Sequence, residues 1–435
     1  MKRSIKRILR LCAIILLFAT TSIYLPSCSV GTDSSKPISS AIDIICQENY
    51  MAKSAIRGES ITFCAEDFAR AVNLNSIDTV TLTSLPPLTD GELRVGSTVL
   101  TGEHTLSVSS LSLLSYHPSS TVSVSQFKFK VNGSPYEMTC KLYSLDKKNY
   151  APTLSSLPKI ATEVSTYECV SYFGSLDCYD ADGDDTFIEI VSYPEKGLLV
   201  IENASLGTYK YIPYDDASGK DSFVCVARDI YGNYSPAQTI SIEIKKTESS
   251  TRFVDLIDSP YHSAALTLNE KSIMSGTRVG TLLYFYPERE LSRAEFTMLA
   301  MNAAGITDVN KVDATVFADD ADIPENMKSF VAAAYDLGYI NGSPVDGKLY
   351  FRPTDPITRS EAAVMLSNIL GSVTPTVKPV FADSNDIPAW AESSLSTLCS
   401  LGVILETENG IEPLAPVTRG SAAVMLANFM QVRGS

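Results

Sequence analysis

Histidine and tryptophan are almost missing from this chain of 435 residues, which has three of the first and one of the second. His104, His117 and His262 stand far apart, and none falls in a metal-ligand or nucleophile spacing. No paired-carboxylate, Gly-x-Ser-x-Gly or phosphate-loop pattern occurs either, so the expectation is a protein that is not an enzyme. Positive charge is short as well. With 35 Lys and Arg against 50 Asp and Glu, the formal net charge is −15, and no basic patch of the kind nucleic acid requires is present. Beyond the amino terminus no apolar run is long enough to span a bilayer. Of nine cysteines, Cys12 lies in the first apolar run and Cys399 on a helical stripe; Cys46, Cys64 and Cys140, then Cys169, Cys178 and Cys225, fall in two β-rich stretches. Export would permit disulfides, an odd number per stretch leaves a thiol over in each, and spacing does not reveal the pairing.

What is present begins with Lys2, Arg3, Lys6, Arg7 and Arg10 ahead of an apolar run from Leu11 to Phe18, which reads as a secretory signal over residues 1–28. Removing those five charges takes −15 to −20. Leu25-Pro26-Ser27-Cys28 resembles a lipoprotein cleavage box that would put a lipid on Cys28; ordinary cleavage between Ser22 and Ser29 is the alternative.

Residues 40–246 carry short runs of Thr, Val, Ile, Tyr and Phe punctuated by Gly, Pro and Asp, the pattern of all-β sandwiches. The stretch repeats itself. Leu114-Ser115-Tyr116-His117-Pro118 and Phe127–Val131 return about 95 residues on as Tyr209-Lys210-Tyr211-Ile212-Pro213 and Phe223–Ala227. Two modules, 40–147 and 150–246, are the economical account. The second resembles bacterial immunoglobulin-like and cadherin-like modules through Asp180-Ala181-Asp182-Gly183-Asp184, Gly207–Pro213 and Asp229-Ile230-Tyr231-Gly232. Asp180, Asp182 and Asp184, alternating around a glycine, are candidate ligands for calcium, which takes about six to eight oxygens. In the cadherin-like family such sites lie near domain junctions, and Asn149-Tyr150-Ala151-Pro152 resembles that linker. The competing reading is a solvated Asp-Gly turn between strands.

A stronger period follows. Phe253-Val254-Asp255, Phe317-Ala318-Asp319 and Phe381-Ala382-Asp383 are each 64 residues apart, the mark of a repeat architecture. Each copy closes on an aromatic or apolar residue, a proline two on and an arginine six beyond it: Phe285-Tyr286-Pro287 with Arg293, Phe351-Arg352-Pro353 with Arg359, and Ile411-Glu412-Pro413 with Arg419. Ser292 with Glu295 and Thr358 with Glu361 form capping boxes ahead of apolar-periodic runs, which puts each arginine at the first helical position. Thr418 keeps the cap but has Ser421 where the glutamate belongs, so that helix start is expected to be weaker by about 1 kcal/mol. Unpartnered amides at a helix start beside a guanidinium would offer an anion a pre-formed site; the alternative is that the arginines pair with surface carboxylates. A first helix in each unit is expected to open at Asp322-Ile323-Pro324 and at Asp386-Ile387-Pro388, with Gly338 and Gly402 as stops.

On the Phe-x-Asp starts, Tyr339-Ile340-Asn341-Gly342, the Phe-x-Pro turns and the Ser/Thr-Arg-Ala/Ser-Glu helix starts, residues 253–432 resemble three tandem S-layer homology repeats: 253–316, 317–380 and 381–432, after a 247–252 linker. The resemblance implies an all-α three-repeat spindle that holds bacterial surface proteins on the cell wall without a covalent bond. Its grooves would bind a peptidoglycan-linked anionic polysaccharide bearing pyruvate ketals, with Arg293, Arg359 and Arg419 as the carboxylate contacts. The family's tryptophan survives only as Trp390, with Asn326 and either Tyr261 or His262 in the other copies. Trp390 either stacks on a sugar or anchors helix packing. Together with Gly420-Ser421 and the missing glycine after Val403-Ile404, these departures put the third groove in doubt. The expectation is a multidomain secreted wall protein whose sandwiches project outward as spacers or as part of an S-layer. The alternative is a wall-held adhesin whose sandwiches bind a host or neighbouring-cell partner.

Overall fold

Strict alternation marks the strands of the amino-terminal half: every second side chain is buried along Val124–Val131 and again along Gln238–Lys245. The computed structural model describes residues 50–74, 76–154, 159–247, 252–371, 381–407 and 409–434. The signal segment with Cys28, Cys46 and most of the 247–252 linker lie outside the described residues. In the first module a five-stranded sheet runs in the order Tyr50–Ile56, Met138–Leu145, Val124–Val131, Thr79–Ser84, His104–Ser107. A four-stranded sheet runs Ile61–Thr62, Leu114–Pro118, Gly91–Val95, Thr98–Val99. Phe127, Phe129, Val80 and Leu142 of the first sheet share one core with Ile61, Leu93, Leu114 and Tyr116 of the second. In the second module a four-stranded sheet runs Glu163–Tyr167, Gln238–Lys245, Gly219–Asp229, Thr186–Ser192, beside a three-stranded one of Tyr172–Ser175, Thr208–Pro213 and Gly197–Asn203.

The internal duplication has a structural counterpart. Each module's opening long strand pairs in parallel with its closing strand, Tyr50–Ile56 with Met138–Leu145 and Glu163–Tyr167 with Gln238–Lys245. Each also lays a buried tyrosine ring over a cross-strand glycine, Tyr116 over Gly91 and Tyr211 over Gly197, where a Cβ would meet the ring at 2.8 and 2.5 Å. Glycine is needed at both places because the ring fills the space of its missing side chain. Among the described residues the six cysteines are all free thiols, with Cys140 and Cys225 buried in the two cores.

The carboxy-terminal region is helical: α1 (His262–Glu270), α2 (Arg293–Ala303), α3 (Glu325–Asp336), α4 (Arg359–Leu370), α5 (Glu392–Ser400) and α6 (Arg419–Gly434). It is not all-α as expected. Hairpins Thr277–Val279 with Leu282–Tyr284 and Ser343–Val345 with Lys348–Tyr350 separate the helices of the first two copies, and among the described residues an isolated bridge, Thr407 to Gly410, stands at that place in the third. Asp322 and Asp386 do not cap α3 and α5. They end 3₁₀ turns, and α3 begins directly after Pro324, whose fixed φ and missing N–H suit a helix entry. Gly338 and Gly402 stop these helices at φ 72° and 71°, where a side chain would be strained.

Helices pair across the sequence copies. α3 packs on α2 and α5 on α4, while α1, the first helix, packs on α6, the last. The α2, α4 and α6 faces that meet the core carry Ala294 and Ala300, Ala362 and Ala363, Ala422 and Ala423 beside Phe296, Met365, Leu366, Met425 and Phe429. Small residues allow close approach and the larger ones fill the layers between. The second sandwich is not held by a polar tether alone, since Tyr167 and Val170 are buried in this helical core.

Candidate functional site

The Phe-x-Asp aspartates hold turns. Each accepts two successive backbone N–H groups from the Phe-x-Pro turn of its own copy: Asp255 from Phe285 (2.9 Å) and Tyr286 (2.7 Å), Asp319 from Phe351 (2.9 Å) and Arg352 (2.6 Å), Asp383 from Ile411 (2.9 Å) and Glu412 (2.7 Å). The middle residue of each turn is left-handed, with φ 57° at Tyr286, 59° at Arg352 and 51° at Glu412. Such a conformation costs a side-chain-bearing residue about 1–2 kcal/mol, which the charge-assisted bonds offset. So held, the turn presents its first carbonyl to the arginine of the preceding copy.

Nε of Arg293 donates to Phe351 O at 3.0 Å, Nε of Arg359 to Ile411 O at 2.7 Å, and Nε of Arg419 to Phe285 O at 2.8 Å. The last of these ties the third copy to the first, so the seams close into a ring. Three backbone bonds close a second ring that donates in the opposite sense: Leu291 N to Val417 O (2.9 Å), Val417 N to Ile357 O (2.8 Å) and Ile357 N to Leu291 O (3.0 Å).

The amides expected to await an anion are taken. Arg293 N and Ala294 N donate to Asp355 O and Pro353 O, Arg359 N and Ser360 N to Ala415 O and Pro413 O, and Arg419 N and Gly420 N to Arg289 O and Pro287 O. The third amide of each helix goes to the cap hydroxyl of Ser292, Thr358 or Thr418. Satisfying these groups within the ring leaves the guanidinium as the cationic element. Glu295 and Glu361 complete their boxes, accepting Ser292 N and Thr358 N at 2.9 Å. The third start is not left open by the missing glutamate, because Ser421 Oγ accepts Thr418 N at 3.0 Å in its place. Gly420 has a reason too: a Cβ there would meet the Tyr261 ring at 2.5 Å.

The arginines differ in what surrounds them. Arg293 Nη1 forms an ion pair with Glu361 at 2.8 Å, and its guanidinium lies 5.3 Å from the Phe351 ring centroid. Arg359 is only 8% exposed and its Nη2 donates to Leu405 O at 2.8 Å; burial pushes its pKa down. Arg419, half-buried, lies 4.7 Å from the Phe285 centroid with Nη2 on Ser275 O at 2.9 Å, and burial together with the nearby Arg289 charge lowers its pKa. Trp390 is 60% exposed, so it does not anchor helix packing.

A second cluster forms at the junction of the sandwiches. The structure gathers Asp180 and Asp184 with Asp229, one oxygen from each lying within 4.8 Å of the others. Asp182 is turned away from this set: its Oδ2 accepts Tyr150 N at 2.8 Å and its Oδ1 faces Lys147 Nζ at 3.7 Å. Asp229 was missed in the sequence because it ends a strand 45 residues after Asp184 and only sheet pairing brings it back. Asn149 Nδ2 donates to Asp229 at 2.7 Å, which ties the linker to the cluster. Oδ2 of Asp180 and Oδ2 of Asp184 are buried without a partner. Burial first, then the neighbouring charges of Asp180, Asp229 and Asp182, hold the Asp184 carboxyl above its ordinary range. Orphaned, mutually repelling oxygens are what a bound hard cation would satisfy, and the three carboxylates would supply part of the roughly six to eight oxygens that calcium takes.

Residues 316–363 and 380–423 match the model of the S-layer homology domain, so the carboxy-terminal region carries S-layer homology repeats. The first copy lies outside the matched stretches and is joined to the others by the ring of seams. The Surface-layer 125 kDa protein of Lysinibacillus sphaericus is 29% identical over 162 residues, 34% of this chain and 13% of that protein. S-layer protein sap of Bacillus anthracis is 31% identical over 133 residues, 30% of this chain and 15% of that protein. An amylopullulanase of Thermoanaerobacterium thermosulfurigenes is 26% identical over 252 residues, 56% of this chain and 12% of that protein. The chain thus spans 15% or less of the length of each. These relatives include both S-layer proteins and an enzyme.

Proposed function

We propose that the helical region holds this protein at a bacterial cell surface by binding an anionic, peptidoglycan-linked polysaccharide, the pyruvylated wall polymer that the family resemblance implies. The observation that carries this is the ring of three arginines, each fixed by a carbonyl of the next copy, in a chain of formal net charge −15. An acidic protein meets an acidic polymer only through such local cationic sites. The sandwiches serve as spacer or structural layer rather than as adhesin or enzyme. Exposed tyrosines of the second module are split between the junction, at Tyr150 and Tyr179, and the far end of strand Gly219–Asp229, at Tyr214, and do not form one patch. Residues 1–28 as export signal, with Cys28 as an alternative lipid anchor, complete the proposed route to the wall. Purified protein is expected to sediment with wall sacculi that carry the polysaccharide and to stay in solution with sacculi stripped of it by hydrofluoric acid. Equal binding to both would sink the reading.

The junction cluster is proposed as a calcium site that stiffens the two sandwiches, carried by the orphaned oxygens of Asp180 and Asp184. Calcium at about 100 times its Kd would stabilise the fold by about 2.7 kcal/mol. Asp184→Asn removes one of the repelling charges, so in EDTA this variant should melt above the parent, while calcium should raise the parent's midpoint only. A parent whose midpoint ignores calcium would leave the cluster a plain turn.

A further inference from the structure

Each sandwich opens on a strand that lies at the edge of its sheet, and in both cases the module that follows covers that edge. Glu163–Tyr167 turns the carbonyls of Glu163 and Ser165 outward, and the helical region meets them with Gln431 Nε2 at 2.6 Å and Ser263 Oγ at 3.2 Å. Tyr50–Ile56 is covered by a turn instead. We infer that the turn Ile230–Tyr234 of the second sandwich guards this first edge: it fixes the two sandwiches as one rigid arm and withholds a strand-pairing surface from a second copy of the chain.

The direction of the edge groups follows from the ladder. Arg57 N donates to Leu145 O at 2.7 Å, so the odd-numbered residues of the strand face Met138–Leu145, while Tyr50, Ala52, Ser54 and Ile56 turn their N–H and C=O groups the other way. Among the described residues no strand pairs on that side. Such a row is a template for another chain, and an unmatched lysine is one common deterrent. Here the charge of Lys53 is matched, since both oxygens of Asp67 lie 2.9 Å from its Nζ.

Gly232 lies against this row. Its φ is 88°, and a Cβ there would run into Ala52 O and come within 3.2 Å of Lys53 N, so a residue without a side chain is what lets the turn reach the edge. The turn is held from within by Asp229. Its Oδ1 accepts Tyr231 N at 2.8 Å and Asn233 N at 2.9 Å, and its Oδ2 accepts Asn233 Nδ2 at 3.0 Å and, from the linker, Asn149 Nδ2 at 2.7 Å. Rings on both flanks of the glycine then grip the first sandwich. Tyr231 packs edge-on against Tyr143 with centroids 5.1 Å apart, and the Arg70 guanidinium lies 4.2 Å from the Tyr234 centroid. Arg228, buried and paired with Glu189, adds a third contact 5.3 Å from the Tyr50 centroid. Contacts on either side of one glycine oppose rotation of the sandwiches against each other.

A second copy is the partner this edge fits. Two identical strands paired antiparallel about a two-fold axis satisfy each other's outward groups, and the two Lys53 charges that would meet there are already matched by Asp67. Lifting the turn would therefore give a closed dimer.

The test compares two glycines of equal backbone strain by sedimentation velocity of the full protein. Gly232 and Gly58 have φ of 88° and 90°, but a Cβ at Gly58 would meet open space. Gly232→Ala is expected to unseat the turn and tighten self-association by about ten-fold or more over the parent, while Gly58→Ala behaves as the parent does. Ser54→Pro removes an outward N–H and spares the ladder to Met138–Leu145, so it should return Gly232→Ala to the parent's state. Tyr231→Ala combined with Tyr234→Ala loosens the same turn without backbone strain and should also associate, which serves if Gly232→Ala does not fold. In small-angle scattering the parent should show one arrangement of the sandwiches, and Gly232→Ala with Ser54→Pro a spread of them. Parent-like association in a folded Gly232→Ala or, failing that, in the double tyrosine variant overturns the guard. So does association that Ser54→Pro does not stop, equal association in Gly58→Ala, or a scattering curve that does not change. A parent that already dimerises and is made monomeric by Ser54→Pro overturns it as well, since the edge would not be withheld.

Discussion

Asp319→Ala is expected to lower the stability of the helical region by about 3 kcal/mol, read as the shift of its chemical unfolding midpoint. The carboxylate accepts Phe351 N at 2.9 Å and Arg352 N at 2.6 Å, and Phe351 is 1% exposed. Bonds to a charged group contribute about 1.5–3 kcal/mol each, and the Phe351 amide has no water to turn to when the partner is lost. Releasing the turn also frees the carbonyl that receives Arg293, so part of the loss appears at the seam with the first copy. Asp319→Asn keeps an acceptor oxygen without the charge and should fall between the two. Arg352→Gly in the Asp319→Ala background should recover about 1 kcal/mol, because glycine adopts φ 59° without help from the carboxylate. The recovery should be smaller in the parent, where the carboxylate already holds the turn, and this coupling would be read from a double-mutant cycle. Loss confined to a few tenths of a kcal/mol would show that packing of Phe351 alone holds the turn.

The 64-residue period was legible because its marks are residues with backbone duties: the aspartate that grips a turn, the proline that follows it and the hydroxyl that caps a helix. Their partners were not legible. The carbonyl that receives Arg293 belongs to Phe351, and the one that receives Arg419 lies 134 residues back at Phe285, so seam geometry exists only once the ring closes. The hairpins went unseen because strands of three residues, such as Thr277–Val279, are too short to show alternation. What the missing glutamate at the third helix start did not reveal is that a serine at the third helical position reaches the same amide, Thr418 N, by a shorter route. The aspartate run was visible as a run, but whether it is a turn or a cation site depends on Asp229, which pairs into position opposite Thr186.

Tyr167→Ala is expected to separate the second sandwich from the helices it rests on. Tyr167 ends the strand Glu163–Tyr167, yet it is 2% exposed inside the helical core, and the left-handed Cys169, at φ 59°, turns the chain back so that Val170 follows it in. Its hydroxyl donates to Glu270 Oε2 at 2.7 Å. Polar bonds surround the ring: Ser263 Oγ to Ser165 O at 3.2 Å, Gln431 Nε2 to Glu163 O at 2.6 Å, and Lys210 Nζ to Asp258 at 2.7 Å. Those at the rim are worth little each, whereas emptying a buried aromatic site costs about 3–5 kcal/mol. Tyr167→Phe keeps the ring, and Glu270 is exposed enough to take water in place of the hydroxyl, so that variant should lose about 1 kcal/mol or less. Calorimetry of the parent should show the second sandwich and the helical region melting together, and Tyr167→Ala should split them into two transitions. Wall binding at low temperature should survive the split, since the arginine seams are built wholly within the helical region. A parent that already melts in separate steps, with Tyr167→Ala leaving them in place, would mean that the contact carries no coupling and that the spacer hangs freely from its anchor.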